Sequence, residues 1–219
     1  MNTPFDLIVF DWDGTLMDST AHITHAIMRA SHELGLPEPD AALARSVIGL
    51  SLAEALRRAC PQLPPERYQE MAAAYRKHFF VGDETVELFD GVAAGLAEIA
   101  ARGVTLAVAT GKSRRGLTRA LDATGLAGCF AATRTQDDCP SKPHPAMLLE
   151  LMDELDARPE RTLMVGDTTH DLLMAAEAGT HAAGLCCGAH GSDELAACQT
   201  LGLFADFTAF HAWLMPQLG

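Results

Sequence analysis

The sequence predicts an α/β fold in which helices cover both faces of a parallel sheet. Several short runs are apolar throughout rather than alternating, and each ends in a polar residue or a turn. Runs of this kind are typical of parallel strands that are buried on both faces. Helical patterns separate these runs, so strands and helices alternate along the chain. This alternation indicates a doubly wound parallel-sheet (Rossmann-like) core.

The elements follow one another in a simple order. The predicted strands are Leu7–Phe10, Val104–Ala109, Phe130–Thr135, Thr162–Val165 and His181–Cys187. The helical patterns between the later strands are Val92–Ala101, Ser113–Thr124, Pro145–Leu155 and Leu172–Ala178.

The interval after the first strand is too long for a single crossover, which needs only about a dozen residues or more including its helix. Its pattern is helical, with helices predicted from Ser19 to Leu34, from Asp40 to Ala59 and from Pro64 to Phe80. We therefore predict an all-helical cap domain over residues 19–89, inserted into an α/β core of residues 1–18 and 90–219. A cap hinged to a core in this way can close over a site.

Composition excludes several classes of protein. The chain has 219 residues, 48% of them apolar, which excludes a disordered protein. Its 16 basic and 29 acidic residues give a net charge of −13, so we expect no nucleic-acid partner. No apolar stretch reaches the roughly 18 residues of a membrane span, and the first residues lack a basic leader. We expect a cytoplasmic protein without membrane partners, and the sequence leaves its oligomeric state open.

The six cysteines form no CxxC pair, and we expect them to be reduced thiols. A zinc site built from Cys186, Cys187, His190 and Cys198 is the alternative, but its spacing matches no zinc ribbon or finger.

Polar residues follow three of the predicted strands. Asp11 and Asp13 follow the first, Thr110 follows the second and Asp167 the fourth, with Asp171 one helical turn later. Ligands of open parallel sheets bind at the carboxyl ends of the strands, so these side chains should meet at one edge. Carboxylates gathered there would repel one another unless a cation lay between them. Oxygen ligands favour Mg²⁺, which keeps positions open for a substrate phosphate.

Four segments together resemble a known family. They are Asp11-Trp12-Asp13-Gly14-Thr15, then Thr110, then Lys142-Pro143, then Gly166-Asp167-Thr168-Thr169-His170-Asp171. In order and spacing they resemble the four motifs of the haloacid dehalogenase-like superfamily, and the likeness extends over essentially the whole chain. With its helical cap after the first motif, the chain is most similar to the phosphoglycolate phosphatase-like branch.

The resemblance implies a Mg²⁺-dependent phosphatase that acts on a small phosphate ester. Asp11 would attack phosphorus and form an aspartyl-phosphate. Asp13 would protonate the leaving alcohol and then activate the attacking water. The metal would be held by the Asp11 carboxylate, the Asp13 main-chain carbonyl and Asp167.

The remaining motif residues would bind or orient the phosphate. The Thr110 hydroxyl would donate a hydrogen bond to a phosphate oxygen. Gly111 lies just before the start of the next helix, where free N–H groups favour anions. Lys142 would supply a positive charge to the nucleophile and the phosphate. Asp171 is expected close to the metal or its waters and to the lysine, and direct ligation of the metal by Asp171 stays open. Gly14 would let the backbone approach the phosphate.

Two other functions stay open. A sugar phosphomutase shares the four motifs, and the cap decides between hydrolysis and transfer by excluding or admitting water. The cap segment Ile48-Gly49-Leu50-Ser51 lacks the pattern we associate with mutases. The other alternative is a binding module that keeps the fold without catalysis.

Two further interpretations concern residues beside the motifs. Gly111-Lys112-Ser113 ends like a nucleotide-binding loop, but the required earlier glycine is Leu106. Lys112, Arg114 and Arg115 are interpreted as part of a solvated helix face, and the alternative is that they add positive charge beside the phosphate. His170 is interpreted as a loop residue, because nitrogen ligands do not suit an oxygen-rich site.

Overall fold

The computed structural model describes residues 4–81 and 86–219. Its centre is a six-stranded sheet in the order β3-β2-β1-β4-β5-β6, in which every neighbouring pair is parallel. The strands are β1 (Leu7–Phe10), β2 (Thr105–Ala109), β3 (Ala132–Arg134), β4 (Thr162–Gly166), β5 (His181–Leu185) and β6 (Leu203–Phe204). The order reverses beside β1, so β1 and β4 flank the crevice in which α/β sheets bind ligands. The predicted fold class is confirmed.

Helices cover the two faces of the sheet. The helices of the core are α5 (Val92–Ala101), α6 (Arg114–Thr124), α7 (Ala146–Glu154), α8 (Thr169–Ala178), α9 (Ser192–Ala196) and α10 (Phe207–Leu218). Alternate residues of β1 enter different apolar clusters, as the pleat of a strand requires. Ile8 and Phe10 pack with α5 and α10, whereas Leu7 and Val9 pack with α7 and α8. This two-sided burial explains why the strand sequences are apolar throughout.

A helical unit interrupts the core between β1 and α5. Its helices are α1 (Thr20–Glu33), α2 (Ala41–Ser46), α3 (Leu52–Ala59) and α4 (Tyr68–Phe80). They pack around their own apolar cluster, which includes Ile27, Leu56 and Met71. The predicted helical insertion is confirmed, and its boundaries at residues 19 and 89 stay a prediction. Residues 82–85 of the predicted cap lie outside the described residues.

The prediction of one helix from Asp40 to Ala59 is wrong. The chain forms α2 and α3 instead, because Gly49 adopts a left-handed conformation with φ of +88°. Asp40 caps α2 by accepting a hydrogen bond from the Leu43 amide at 2.7 Å, and Ser51 caps α3 by accepting from the Glu54 amide at 3.4 Å. A second helix start within the predicted span places residues 47–51 in a loop that faces the core.

The C-terminal part contains elements that the sequence patterns do not indicate, namely β6, α9 and α10. Strand β6 has two residues and α9 has five, so both are too short to produce a periodic pattern of apolar residues. Within the described ranges, no helix is both long and apolar enough to cross a membrane.

Candidate active site

The loop after β1 places Asp11 at the edge of the sheet. The Asp11 amide still donates to the Val165 carbonyl at 2.9 Å, as in the ladder between β1 and β4. The chain then turns tightly, and the Gly14 amide donates to the Met17 carbonyl at 2.8 Å. The strand therefore delivers the Asp11 side chain to the crevice, where it is fully buried.

Three aspartates from two strand ends meet there. Each of Asp11, Asp167 and Asp171 offers an oxygen within 4.8 Å of the others. The Lys142 ammonium lies among them, 2.9 Å from Asp11 Oδ1 and 2.6 Å from Asp171 Oδ1, and all of these side chains are buried. The structure thus brings together four residues that the sequence placed in the site. When all four side chains are ionised, three negative charges face one positive charge, and the cluster carries two excess negative charges.

Burial dominates the electrostatics of this cluster. It raises the pKa of Asp11, and the negative charges of Asp171 and Asp167 act in the same direction while Lys142 opposes them. Burial and the charge of Asp171 raise the pKa of Asp167 to about 7. Burial alone would lower the pKa of Lys142, but Asp11 and Asp171 raise it overall. The charges of Asp11 and Asp171 thus favour the cationic form of Lys142.

The hydrogen bonds of Asp167 and Asp171 hold both carboxylates rigidly. Asp167 accepts from the Thr15 hydroxyl at 2.6 Å and from the Ala189 amide at 2.7 Å. Asp171 accepts from the Thr168 hydroxyl at 2.7 Å and the Thr168 amide at 3.1 Å, which completes the capping box of α8. The folded backbone thus orients these two side chains before any ligand arrives.

Gly14 is required by the closeness of this packing. Its φ is +82°, and a Cβ atom there would lie 2.3 Å from Asp167 Oδ2. A side chain at position 14 would therefore both strain the turn and displace the Asp167 carboxylate.

The Asp11 carboxylate differs from the other two. Among the described residues no hydroxyl or amide donates a hydrogen bond to either of its oxygens, and the Lys142 ammonium lies 2.9 Å from Oδ1. A buried carboxylate with so few donors is costly unless something else compensates it. A divalent cation would neutralise the two excess charges of the cluster, and carboxylate oxygens are the ligands that Mg²⁺ prefers. These residues therefore fit a divalent metal.

Asp13 points away from the three carboxylates. It accepts from the Ser19 hydroxyl at 2.7 Å and from the Lys112 ammonium at 2.7 and 2.9 Å. Lys112 is half-buried, and its ammonium also lies 5.0 Å from the centre of the Phe79 ring. The interpretation of Lys112 as part of a solvated helix face is wrong, because the loop after β2 turns this side chain inward onto Asp13.

Thr110 and Gly111 lie where β2 ends. Thr110 is buried, its amide donates to the Arg134 carbonyl at 3.0 Å, and its hydroxyl oxygen accepts from the Lys112 amide at 3.2 Å. A Cβ atom on Gly111 would lie 2.3 Å from the Leu50 carbonyl oxygen. Gly111 thus permits the loop between α2 and α3 to rest directly on the core. Its predicted role in substrate binding stays a prediction.

That loop covers the site from the side of the helical unit. A Cβ atom on Gly49 would lie 3.7 Å from Asp11 Oδ2. The Ser51 amide donates to the Ser141 hydroxyl at 2.8 Å, and the Leu52 amide donates to Gln136 Oε1 at 2.6 Å. These contacts hold the helical unit closed over Asp11.

Two histidines join the helical unit to the core at the same edge. Ring nitrogens of His170 and His190 lie 3.2 and 3.1 Å from the Ser46 carbonyl oxygen. The interpretation of His170 as a loop residue is wrong, because it lies in the first turn of α8 and is buried. Its side chain contacts the helical unit.

The chain is similar to a family model, to curated relatives and to solved structures. A family model described as "Haloacid dehalogenase-like hydrolase" matches residues 8–185. "Probable phosphatase IndB" of Dickeya dadantii (strain 3937) is 40% identical to the chain, over 95% of the chain and 94% of the relative. "Phosphoglycolate phosphatase" of Yersinia pseudotuberculosis serotype I (strain IP32953) is 32% identical, over 97% of the chain and 92% of the relative.

A solved structure described as a predicted phosphoglycolate phosphatase from Haemophilus somnus 129pt has the same fold, with a TM-score of 0.84. It is 27% identical and covers 97% of this chain and 99% of its own. The chain belongs to the haloacid dehalogenase-like hydrolase family. Within that family it is a phosphoric monoester hydrolase.

Proposed function

We propose that the protein is a Mg²⁺-dependent phosphatase that hydrolyses a small phosphorylated metabolite through an aspartyl-phosphate on Asp11. The observation that supports this most is the state of the Asp11 carboxylate. It is buried, receives no hydrogen bond from a hydroxyl or an amide of the described residues, and lies beside the Asp167 and Asp171 carboxylates and the buried Lys142 ammonium. A nucleophile needs an oxygen that is not held by such donors, and Asp11 meets that need.

The reaction would proceed in two displacements. In the first, a carboxylate oxygen of Asp11 forms a bond to phosphorus while the bond from phosphorus to the ester oxygen breaks. The leaving oxygen takes a proton from Asp13 and departs as the alcohol. In the second, water forms a bond to phosphorus and loses a proton to Asp13, while the bond from phosphorus to the Asp11 oxygen breaks. Inorganic phosphate leaves, and Asp11 and Asp13 return to their initial states.

The other predicted residues would position the reacting groups. Lys142 holds Asp11 in place and offers a positive charge beside the phosphate. Thr110 has a buried hydroxyl at the same edge that would bind a phosphate oxygen. Asp11, Asp167 and the Asp13 carbonyl are the proposed metal ligands, and Asp171 also offers an oxygen within reach. When bound, Mg²⁺ would stabilise the negative charge that develops on the transferring phosphoryl group.

The helical unit, proposed here as a cap domain of residues 19–89, would shield the site from bulk water while Asp11 attacks. Ser51, Leu52 and Ser46 make hydrogen bonds with the core. Opening of the helical unit away from the core would break these hydrogen bonds, as in other lid-gated enzymes. The cytoplasmic location and the absence of a nucleic-acid partner stay predictions from the sequence.

The proposal is tested by phosphate release from a panel of phosphate esters that includes 2-phosphoglycolate, sugar phosphates and nucleotides. Each reaction is run with Mg²⁺ and with a chelator. We expect release that requires the metal and is lost in Asp167→Asn, which keeps the shape of the side chain and removes its charge. Conversion of a hexose 1-phosphate to the 6-phosphate without free phosphate would identify a mutase instead. Metal binding without either reaction would identify a binding module.

A further inference from the structure

A cavity of about 180 Å³ lies between the helical unit and the core. Its walls on the side of the helical unit are mostly aliphatic and aromatic. They include Ile23, Ile27, Val47, Ile48, Leu50 and Phe79. These residues come from α1, from the loop between α2 and α3, and from α4. The cavity is therefore built by the folding of the helical unit onto the core and belongs to the space that a substrate would occupy.

The cavity opens directly on the reacting groups. Asp13, Gly49 and Lys112 are part of its lining. Gly49 borders Asp11, since a Cβ atom there would lie 3.7 Å from Asp11 Oδ2. A phosphoryl group in contact with Asp11 would direct its ester oxygen toward Asp13. The organic part of the ester would then enter this cavity.

The aliphatic interior of the cavity does not suit an alcohol that carries a carboxylate. Of the cations that line the cavity, Lys112 is the one beside the reacting groups, and both of its short contacts are with Asp13. Arg76 and Arg115 also line the cavity, but both are exposed and so lie at its mouth. A carboxylate in the interior would lose water without gaining a partner among the aliphatic side chains, which is costly. An apolar group would instead gain from burial.

We propose that this phosphatase prefers phosphomonoesters whose alcohol carries an apolar group of about the size of one six-membered ring. This inference rests on the proposed phosphatase function and concerns its substrate class. The volume sets the size, because a cavity of about 150 Å³ lined by aliphatic and aromatic residues accommodates benzene. The cavity has room for such a group.

A homologous series of n-alkyl phosphates from methyl to butyl, with benzyl phosphate as the ring-sized member, tests the preference. The leaving alcohols differ little in acidity, so chemical reactivity changes little along the series. Burial of each methylene should raise kcat/KM about fourfold. We expect butyl and benzyl phosphate to exceed both methyl phosphate and 2-phosphoglycolate.

Two variants of the wall and one matched control locate the effect. Ala55 lines the cavity from α3, and Ala55→Leu fills it, so the ratio of kcat/KM for butyl over methyl phosphate should fall at least tenfold. Ala53 is exposed on the same helix and outside the cavity, so Ala53→Leu should leave that ratio unchanged. Val47→Thr keeps the shape of the wall and adds a hydroxyl, which should lower the ratio even if Ala55→Leu fails to fold.

The outcomes separate this inference from the function on which it rests. Phosphate release that is flat or falls along the series, or that is greatest with 2-phosphoglycolate, would overturn the apolar preference and leave the phosphatase intact. Equal effects of Ala53→Leu and Ala55→Leu would also overturn it, because the cavity would then not be the cause. No phosphate release from this series or from the wider panel would overturn the phosphatase itself.

Discussion

Lys142→Met should destabilise the metal-free protein far more than its size suggests. The Lys142 ammonium lies 2.9 Å from Asp11 and 2.6 Å from Asp171, and no part of the lysine side chain reaches solvent. Methionine would leave the carboxylates of Asp11, Asp167 and Asp171 buried together without a cation. Breaking a buried ion pair by removing one partner costs about 3–5 kcal/mol. We expect a loss of that size in the free energy of unfolding, measured by urea denaturation with a chelator present.

Lys77 provides the matched control. Its ammonium lies 2.9 Å from both carboxylate oxygens of Glu33, but its side chain is 63% exposed. Lys77→Met removes an ion pair of similar length that is exposed to water, and such pairs contribute about 0.2–1 kcal/mol. Added Mg²⁺ should restore part of the stability of Lys142→Met and none of that lost by Lys77→Met. A loss of free energy of unfolding below about 1 kcal/mol for Lys142→Met would refute the reasoning, because burial would then not determine how much the ion pair contributes to stability.

Three further predictions concern the site and its surroundings. Gly14→Ala should lower turnover at least tenfold, because the added Cβ displaces Asp167. Gly35 also has a left-handed φ, of +66°, but a Cβ there meets no atom within 4 Å, so Gly35→Ala should cost only about 1–2 kcal/mol of stability. Steady-state kinetics and urea denaturation compare the two variants. Mg²⁺ at about 100 times its Kd should raise the free energy of unfolding by about 2.7 kcal/mol in the wild type and much less in Asp167→Asn, as measured by thermal denaturation. Burial and the Glu150 carboxylate raise the pKa of the Cys139 thiol to about 11, above its value in the unfolded chain. The stability that the buried neutral thiol contributes should therefore be complete below about pH 9 and be lost as the pH rises toward 11. The rate of alkylation of Cys139 in the native protein should rise over the same range, and a plateau near pH 9 would contradict this.

The central strands and the aspartates at their ends follow from local patterns. Residues 7–10 and 162–165 are continuous apolar runs that end in polar residues, and such runs are visible in the sequence without knowledge of distant contacts. The aspartates that follow these runs meet because β1 and β4 are neighbours. Their closeness was predictable because parallel strands bring their carboxyl ends to one edge of the sheet.

The features that sequence patterns missed depend on contacts between distant residues. Gly49 ends a helical pattern because its loop rests against Gly111, and periodicity within residues 40–59 carries no sign of that contact. Lys112 pairs with Asp13 across 99 positions, so a lysine near a helix start appears solvated when only its neighbours are considered. One signal was available: Lys112 lies two residues after Thr110, at a strand end already assigned to the site.

Chemical trapping of the phosphoryl-enzyme tests the role of Asp11 most directly. The protein is quenched in acid during turnover of a good substrate, reduced with borohydride and digested, so that an aspartyl-phosphate is converted to homoserine at its position in the chain. We expect homoserine at position 11 in the wild type and none in Asp11→Asn, whose fold is checked by circular dichroism. Modification at another residue, or undiminished turnover by folded Asp11→Asn, would contradict the assignment of Asp11 as the nucleophile.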